Sequence, residues 1–553
     1  MTFLSPRRSP SSGPAGQRRR SVAANAAIVA AAFAVSRVLG MLREIIVAAR
    51  FGTGDTYDAY VAAFRIPDLL FVVVMSGAFG AAFIPVFGGQ LARGEAERAW
   101  RLASTLLTWT VVVLAVVGLL VSLLAEPLVG RLIAPELPPE SRQLATNLTR
   151  ILLLSPLLLG LGAAGKGMLE AQELFTLSAV APILYNVGII VGAVAIAPFI
   201  GIYGLAVGVV IGAAAHAGIQ FAGLIRGGFA FRPSLSRQVD GLGEVARLMG
   251  PRIAGQAAVQ INLIVMTNFA SRLGEGRISA LSYAQNLILL PHGVLAMSLS
   301  TVVFPLMARQ YELGRLDDLK RTLSRALGPL VFLTLPAVVA LIAFRTSIVQ
   351  VVFQVGSFTP ESTALVAEAV GYFALGLLAR SVVEALSRAF YAMHDTRTPL
   401  IAALVAIVVN IGLSWLLAPR LGHGGLALSI SITATLRMVA LMVVLARRTG
   451  GYGSILTPSL PRMLLATAGM SIIAFVVAGA VDEATDPAGG RTLWTYGALA
   501  VALAATGGVY VAVARLLHVP ELSQLVGVVR GRLRPSRRRP ETPNDSSPTD
   551  QPL

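Results

Sequence analysis

Apolar stretches long enough to cross ~30 Å of hydrocarbon recur along nearly the whole chain. They lie near 22–51, 58–89, 101–126, 144–168, 176–198, 203–225, 245–271, 278–308, 325–352, 362–390, 398–418, 424–446, 461–481 and 493–517. Inside a bilayer every backbone N–H and C=O must find its partner within the protein, so runs of this length are helices. The expected fold class is therefore an all-α polytopic membrane protein with about fourteen transmembrane helices. Composition excludes the soluble alternative. Apolar residues make up 55% of the 553 residues before 54 glycines are added, only 13% are charged, and mean hydropathy is +0.74. A water-soluble domain of this size needs more polar surface than that.

The charge distribution gives an orientation. Net charge is +17, and Lys166 and Lys320 are the sole lysines, so the positive charge is nearly all arginine. Arginines gather in alternate connections: the N-terminal segment, Arg93/Arg98/Arg101, Arg226/Arg232/Arg237, Arg309 to Arg325, Arg388/Arg397, Arg447/Arg448/Arg462 and the C-terminal segment. The opposite connections carry none or a few. By the positive-inside rule both termini are expected in the cytoplasm, and this placement between apolar runs argues against nucleic-acid binding. There is no cysteine and no H-E-x-x-H pair, so no thiol, zinc or catalytic cluster is expected. The basic start followed by Val22 to Val35 resembles a signal peptide without a convincing cleavage site. Residues 1–20 and 519–553 lack apolar periodicity and read as disordered cytoplasmic tails.

An internal repeat organises the rest. A shift of 220 residues places Pro85 on Pro305, Gln90 on Gln310, Gly94 on Gly314, Arg101 on Arg321 and Ser104 on Ser324. A shift of 221 places Ala197-Pro198, Gly201 and Gly204-Leu205-Ala206 on Ala418-Pro419, Gly422 and Gly425-Leu426-Ala427. Six helices per copy is an even number, so both copies enter from one side and a pseudo-twofold axis runs along the membrane normal. The expected domains are a lobe at 21–226, a second at 227–448, and two added helices within 449–518.

Charge inside a membrane is costly and marks a cavity or a partner. The first stretch carries Arg37, Arg43 and Glu44; the two arginines are about 9 Å apart along the helix and not on one narrow face. They can border a wide cavity, pair with Glu44 or Asp58, or snorkel to an interface. In the matching helix of the second copy, Arg252, Gln256 and Gln260 share one face at spacings of four. That stripe is either a substrate path or interhelical hydrogen bonding. Arginine's planar fork suits phosphate, so an anion-accepting cavity with more cations than acids is expected.

Ser36-Arg37-Val38-Leu39-Gly40, Arg43-Glu44, Phe51-Gly52, Asp58-Ala59-Tyr60, Phe64 to Leu70, and Gly77-Ala78-Phe79 to Phe83-Ile84-Pro85 resemble the MurJ (MviN) family of lipid II flippases. The resemblance continues through Gln260-Ile261-Asn262, Pro291-His292-Gly293 and Asp395-Thr396-Arg397-Thr398-Pro399, over roughly 22–517. It implies a non-enzymatic transporter of the multidrug/oligosaccharidyl-lipid/polysaccharide exporter superfamily in the cytoplasmic membrane. Such a protein moves the undecaprenyl-pyrophosphate-linked peptidoglycan precursor by alternating access, as a monomer near the cell-wall synthesis machinery. It implies that Arg37 and Arg43 engage the pyrophosphate, that Asp58 is the family's second-helix acid and that Arg65 is a family cation.

The sequence also departs from the family pattern. Phe71-Val72 stand where many members have an arginine pair, Ser76 where many have an acid, and Gln285-Asn286 where many have Asp-Arg. Arg252, with Gln256 and Asn286, is expected to supply part of the missing cavity chemistry. Where relatives hold sodium with carboxylates, this chain offers Asn268, Asn410 and Ser414, which bind a cation weakly at best. The membrane potential is then the alternative energy source. Two other readings remain at this point. One is a cation-coupled exporter of small amphipathic compounds, which calls for a cavity with carboxylates and aromatics; the other is a scaffold acting through its tails.

Overall fold

The computed structural model describes residues 15–77, 83–451, 459–484 and 493–533; the side chains of 15–27, 74–77, 248–252, 254–255, 296–302, 483–484 and 528–533 lie outside that description. The described residues form helices joined by short turns: α1 (Ala15–Phe51), α2 (Asp55–Gly77), α3 (Phe83–Ala92), α4 (Ala96–Leu123), α5 (Pro139–Leu152), α6 (Leu154–Ala171), α7 (Phe175–Val191), α8 (Ile202–Arg226) and α9 (Leu242–Ala270). The second half continues with α10 (Arg277–His292), α11 (Ser298–Glu312), α12 (Leu316–Ala343), α13 (Arg345–Phe353), α14 (Pro360–Leu375), α15 (Leu377–Ala392), α16 (Arg397–Arg448), α17 (Leu460–Ala484), α18 (Leu493–Leu516) and α19 (Pro520–Leu533).

Among the described residues, eight helical segments are long and apolar enough to cross a membrane, or nine if α14 and α15, bent by 46°, form one span. The sequence count is higher, in part because two expected stretches fall within one helix. One qualifying helix, α16, turns back on itself at Gly422, whose φ of 55° and ψ of −141° are not helical. Helices α1, α2, α9 and α11 each include residues whose side chains the structure does not describe, and they stand outside this count. Two tail expectations need correction. Helix α1 begins at Ala15 rather than after residue 20, and residues 520–533 are helical. Pro520 sits at the start of α19, where its missing N–H costs nothing, and Leu522 and Leu525 pack on the core of α12, α17 and α18.

The two copies of the repeat turn alike. Left-handed backbone recurs at Gly94 and Gly314 (φ 79° and 70°), Glu173 and His394 (62° and 60°), and Gly228 and Gly450 (88° and 76°). At Glu173 and His394, residues other than glycine tolerate this because the following N–H closes the helix end: Leu174 N donates to Leu169 O at 2.9 Å and Asp395 N to Phe390 O at 2.9 Å. Gly201 (φ 61°, ψ −142°) matches Gly422 almost degree for degree.

Packing differs between the two ends of the bundle. At one end a single core joins both halves of the chain, running from Val47, Tyr57 and Ile66 through Leu148 and Val209 to Leu281, Phe353 and Val370. At the other end, one core lies wholly within residues 83–245 and a separate one within 307–445. A cleft therefore divides the halves at the arginine-rich end and closes toward the shared core.

Candidate functional site

At the closed end of the cleft, α1, α2, α7, α9 and α10 surround a cavity of about 320 Å3 lined by Arg43, Glu44, Tyr57, Tyr60, Arg65, Asp68, Tyr185, Gln285 and Asn286, among others. Arg43 is held from two sides: Nη1 donates to Asn186 Oδ1 at 3.1 Å and Nη2 to Glu44 Oε1 at 2.5 Å. The second Glu44 oxygen accepts from Asn286 Nδ2 at 3.1 Å. The chain Asn186–Arg43–Glu44–Asn286 thus spans from α7 in the first half to α10 in the second. Arg65, buried, bridges the halves again by donating from Nε to Thr267 Oγ1 at 2.7 Å.

The lining pairs two arginines with two carboxylates, Glu44 and Asp68. This corrects the expected excess of cations over acids. Asp68 escaped notice because it lies in a Pro-Asp-Leu-Leu run that reads as helix scaffolding. Tyr185 and Asn186 sit in an apolar stretch whose sequence does not show which face meets the cavity.

Asp58 does not line the cavity. It is fully buried, and its carboxylate accepts from Gly276 N at 2.8 Å and Ser279 N at 2.7 Å, the unsatisfied donors at the start of α10. It is a cap placed across the two halves, so both oxygens are used within the protein in this conformation. Around it the shared core forms a seal. Tyr283 stacks on Tyr57 at 5.0 Å between ring centroids, touches Phe353 at 5.3 Å and Phe358 at 5.6 Å, and donates to Gly52 O at 3.2 Å. Thr53 Oγ1 and Ser362 Oγ lie 2.6 Å apart, and Ser357 N donates to Ala49 O at 2.8 Å. Gly52 (φ 59°) and Gly356 (φ 62°) make this contact possible, since an added Cβ would lie 2.3 Å from Ser357 O and Ala49 O respectively.

The other expected site residues are dispersed. Arg37 lies outside the enclosed cavity, further down the cleft, with its guanidinium 5.4 Å from the Phe33 ring and beside Gly293, where a Cβ would be 3.5 Å from Nη1. Gln256 is exposed on α9, and the side chain of Arg252 lies outside the described residues, so the charge-replacement expectation for it has no structural reading. Asn268 donates to Leu132 O at 2.8 Å and accepts from Arg272 at 3.2 Å. Asn410 and Ser414 instead converge on Ser429 Oγ at 3.1 and 2.9 Å. The three expected ion ligands thus belong to two separate networks with no shared partner. Among the described residues no group of three His, Asp or Glu side chains could hold a metal.

Geometry and topology define an all-helical multi-pass membrane protein with a charged cavity between two halves. The family model described as "Lipid II flippase MurJ" matches residues 47–486. The chain is 32% identical over 499 residues to a probable lipid II flippase MurJ of Rhizobium meliloti (strain 1021), covering 87% of this chain and 91% of that one. It is 31% identical over 425 residues to the lipid II flippase MurJ of Burkholderia cenocepacia, covering 75% and 82%. A solved structure titled "Lipid II flippase MurJ, inward closed conformation" superposes with a TM-score of 0.72 at 23% identity, covering 92% of this chain and 99% of that one. An inward-facing multidrug transporter of the MATE family gives 0.63 at 16% identity, covering 75% and 94%. The chain belongs to the MurJ lipid II flippase family, whose members are transporters and not enzymes.

Proposed function

We propose that the chain carries lipid II, the polyprenyl-pyrophosphate-linked disaccharide-peptide, from the cytoplasmic to the outer leaflet by alternating access. The observation that supports this best is the unequal packing of the two ends: one core shared by both halves at one end and separate cores at the other. With fourteen spans and both termini in the cytoplasm, the separate cores lie at the cytoplasmic end and the shared core at the outer end. The lobes are 21–226 and 227–448, with 449–518 added at the side of the second. The conformation then admits a headgroup from the cytoplasm while Asp58, Tyr283 and Thr53–Ser362 hold the outer side shut.

In this reading Arg37 is the first cation a pyrophosphate meets in the cleft and Arg43 the second. Arg43 is already charge-balanced by Glu44, so substrate phosphate replaces the carboxylate as its partner. Releasing Glu44 also loosens its bond to Asn286, which couples headgroup arrival to the contact between lobes. Arg65, with Asp68, lies deeper and positions the lobe interface. Asp58 serves the cycle as a gate, and Gln256 lies exposed along α9. The neutral Asn268 and the Asn410–Ser414 pair leave sodium coupling without a carboxylate, and the membrane potential acting on the cavity charges supplies the alternative drive.

The carboxylates and tyrosines of the cavity are also what a small-cation exporter would need, but each carboxylate has an arginine beside it in the lining, and the family membership favours lipid II. The test is rescue of a conditional lipid II flippase mutant, with surface accessibility of the precursor measured in the same cells. Rescue with lipid II reaching the outer leaflet is expected. Failure of an abundant, inserted protein to do so would overturn the reading.

A further inference from the structure

The two copies of the repeat differ in how their last two helices pack. Both hairpins turn at matching glycines, Gly201 and Gly422, and both are tight just beyond the turn: a Cβ on Gly204 would lie 2.4 Å from Ala197 N, and one on Gly425 would lie 2.5 Å from Leu417 O. In the first copy this contact continues down the pair. A Cβ on Gly192 would be 2.6 Å from Gly208 Cα, and one on Gly188 would be 2.3 Å from Gly212 Cα. Small residues at such spacing let membrane helices touch backbone to backbone.

In the second copy the same positions are filled. Thirteen residues before the turning glycine, Gly188 becomes Val409; eleven after it, Gly212 becomes Thr433. The two arms of α16 are held apart from that level onward, and the space between them is a cavity of about 520 Å3 bordered by Thr398, Val405, Val409, Thr433, Arg437 and Val444. Its volume lies in the ~300–1,000 Å3 range of sites that enclose small ligands. The rim is apolar and outward-facing, with Ile401, Val405 and Leu436 each more than half exposed, as expected of a surface bathed in lipid.

One residue breaks the apolar lining. Arg437 stands fifteen residues past the turn, where the first copy has His216. His216 tucks against Gly162, where a Cβ would be 2.3 Å from its Nδ1; the matching residue in the second copy is Val383, which leaves no such recess. Arg437 instead borders the groove, and its Nε is buried without a hydrogen-bond partner. The groups that act on it are Tyr391 and Glu384, and Glu384 is already held by Arg388 through contacts of 3.2 and 3.1 Å. A guanidinium nitrogen left without an acceptor beside hydrocarbon favours an anionic partner.

We propose that the groove between residues 398–409 and 433–444 is a site for one anionic phospholipid of the surrounding bilayer, its chain lying between the arms of α16 and its phosphate on Arg437. The phosphate supplies the acceptor that Arg437 lacks, and the chain fills space that the first copy closes with glycine. At the arginine-rich end the two arms are tied by Arg448 Nη2 donating to Thr398 Oγ1 at 3.1 Å. The site is separate from the cavity around Arg43 and does not rest on the flippase reading.

The test uses the purified full-length protein in detergent, with lipid retention read by native mass spectrometry against added phosphatidylglycerol and phosphatidylcholine of equal chain length. Wild type is expected to retain one phosphatidylglycerol per chain, with a preference over phosphatidylcholine of about fivefold for a single arginine. Arg437→Gln should lose the preference, Arg437→Lys should keep most of it, and Ala440→Phe, which fills the groove, should lose retention of both lipids while the melting temperature holds. The proposal is overturned if wild type shows no preference or Arg437→Gln retains it. Displacement of the phosphatidylglycerol by equimolar lipid II would also overturn it, by giving the groove to the substrate.

Discussion

The two ends of this bundle are built from the same two halves of one chain, yet they pack in opposite ways. At the end holding residues 47–66 and 264–288, side chains from both halves interdigitate into one core, closed by the Tyr57–Tyr283 stack and by Asp58 on the α10 terminus. At the other end Phe83, Leu102 and Met168 make one core and Leu323, Leu386 and Phe390 another. Each half is thus a self-sufficient body at the arginine-rich end, and at the other end the two share one core with a few polar bonds across it. That is the mechanical requirement for two bodies that rock about a shared site. A seal of this kind has to be closed well enough to exclude solutes and weakly enough to be released by substrate.

The largest expected effect comes from the residue that joins the cavity to both halves. Replacing Arg43 with alanine strands Glu44 and Asn186, and rescue of a flippase-depleted cell should fall to background with protein level unchanged. Arg37→Ala should do the same by removing the first phosphate contact. Normal growth with either would remove the phosphate role from α1.

The next effects fall on the seal. Gly356→Ala places a methyl 2.3 Å from Ala49 O at a φ of 62°, so the outer contact cannot form unchanged. A cysteine introduced at Thr53, in a chain with none of its own, should then react several-fold faster with a membrane-impermeant maleimide added outside, and an unchanged rate would deny the seal its glycines. Asp58→Asn keeps the shape but loses the charge that caps α10, a change worth ~1–3 kcal/mol. Labelling at Thr53 should rise again, by less than for the glycine variant. The smallest effect concerns the ion. Because Asn410, Ser414 and Ser429 satisfy one another as neutral groups, replacing external sodium with choline should alter precursor exposure by less than about twofold; a larger loss would require a sodium site that these residues do not make.

Much of the architecture was legible in the sequence because it depends on periodicities that survive substitution. The repeat shift of 220 to 221 was read from scattered identities, and the same shift relates the left-handed turns at Gly94 and Gly314 and the kinks at Gly201 and Gly422. Arg43 stood out as a charge in an apolar stretch and Asn286 as a departure from the family pattern, and both line the cavity. What escaped was everything that depends on which face of a helix meets which neighbour. Arg43 and Glu44 are adjacent in sequence and would not ordinarily face one site; they do so because Asn186 and Asn286 draw them from either side. Asp58 read as the family's second-helix acid, and only the folded chain shows that it caps the α10 terminus. Helix α19 was hidden by Gly527 and its arginines, because its apolar side is recognisable only against the core it covers. The groove at Arg437 had no sequence signal of its own until the two hairpins could be laid side by side.

For lipid II to cross in the proposed cycle, the seal at Thr53 and Ser362 must open. Thr53 and Ser362 bring their hydroxyl oxygens to 2.6 Å across the two halves, close enough for a disulfide between Thr53→Cys and Ser362→Cys without large backbone movement. In cells that depend on this protein, oxidation of the double variant should stop lipid II from reaching the outer leaflet, and reduction should restore it, while each single variant remains active under both conditions. Continued appearance of lipid II at the outer leaflet with the disulfide fully formed would contradict the account.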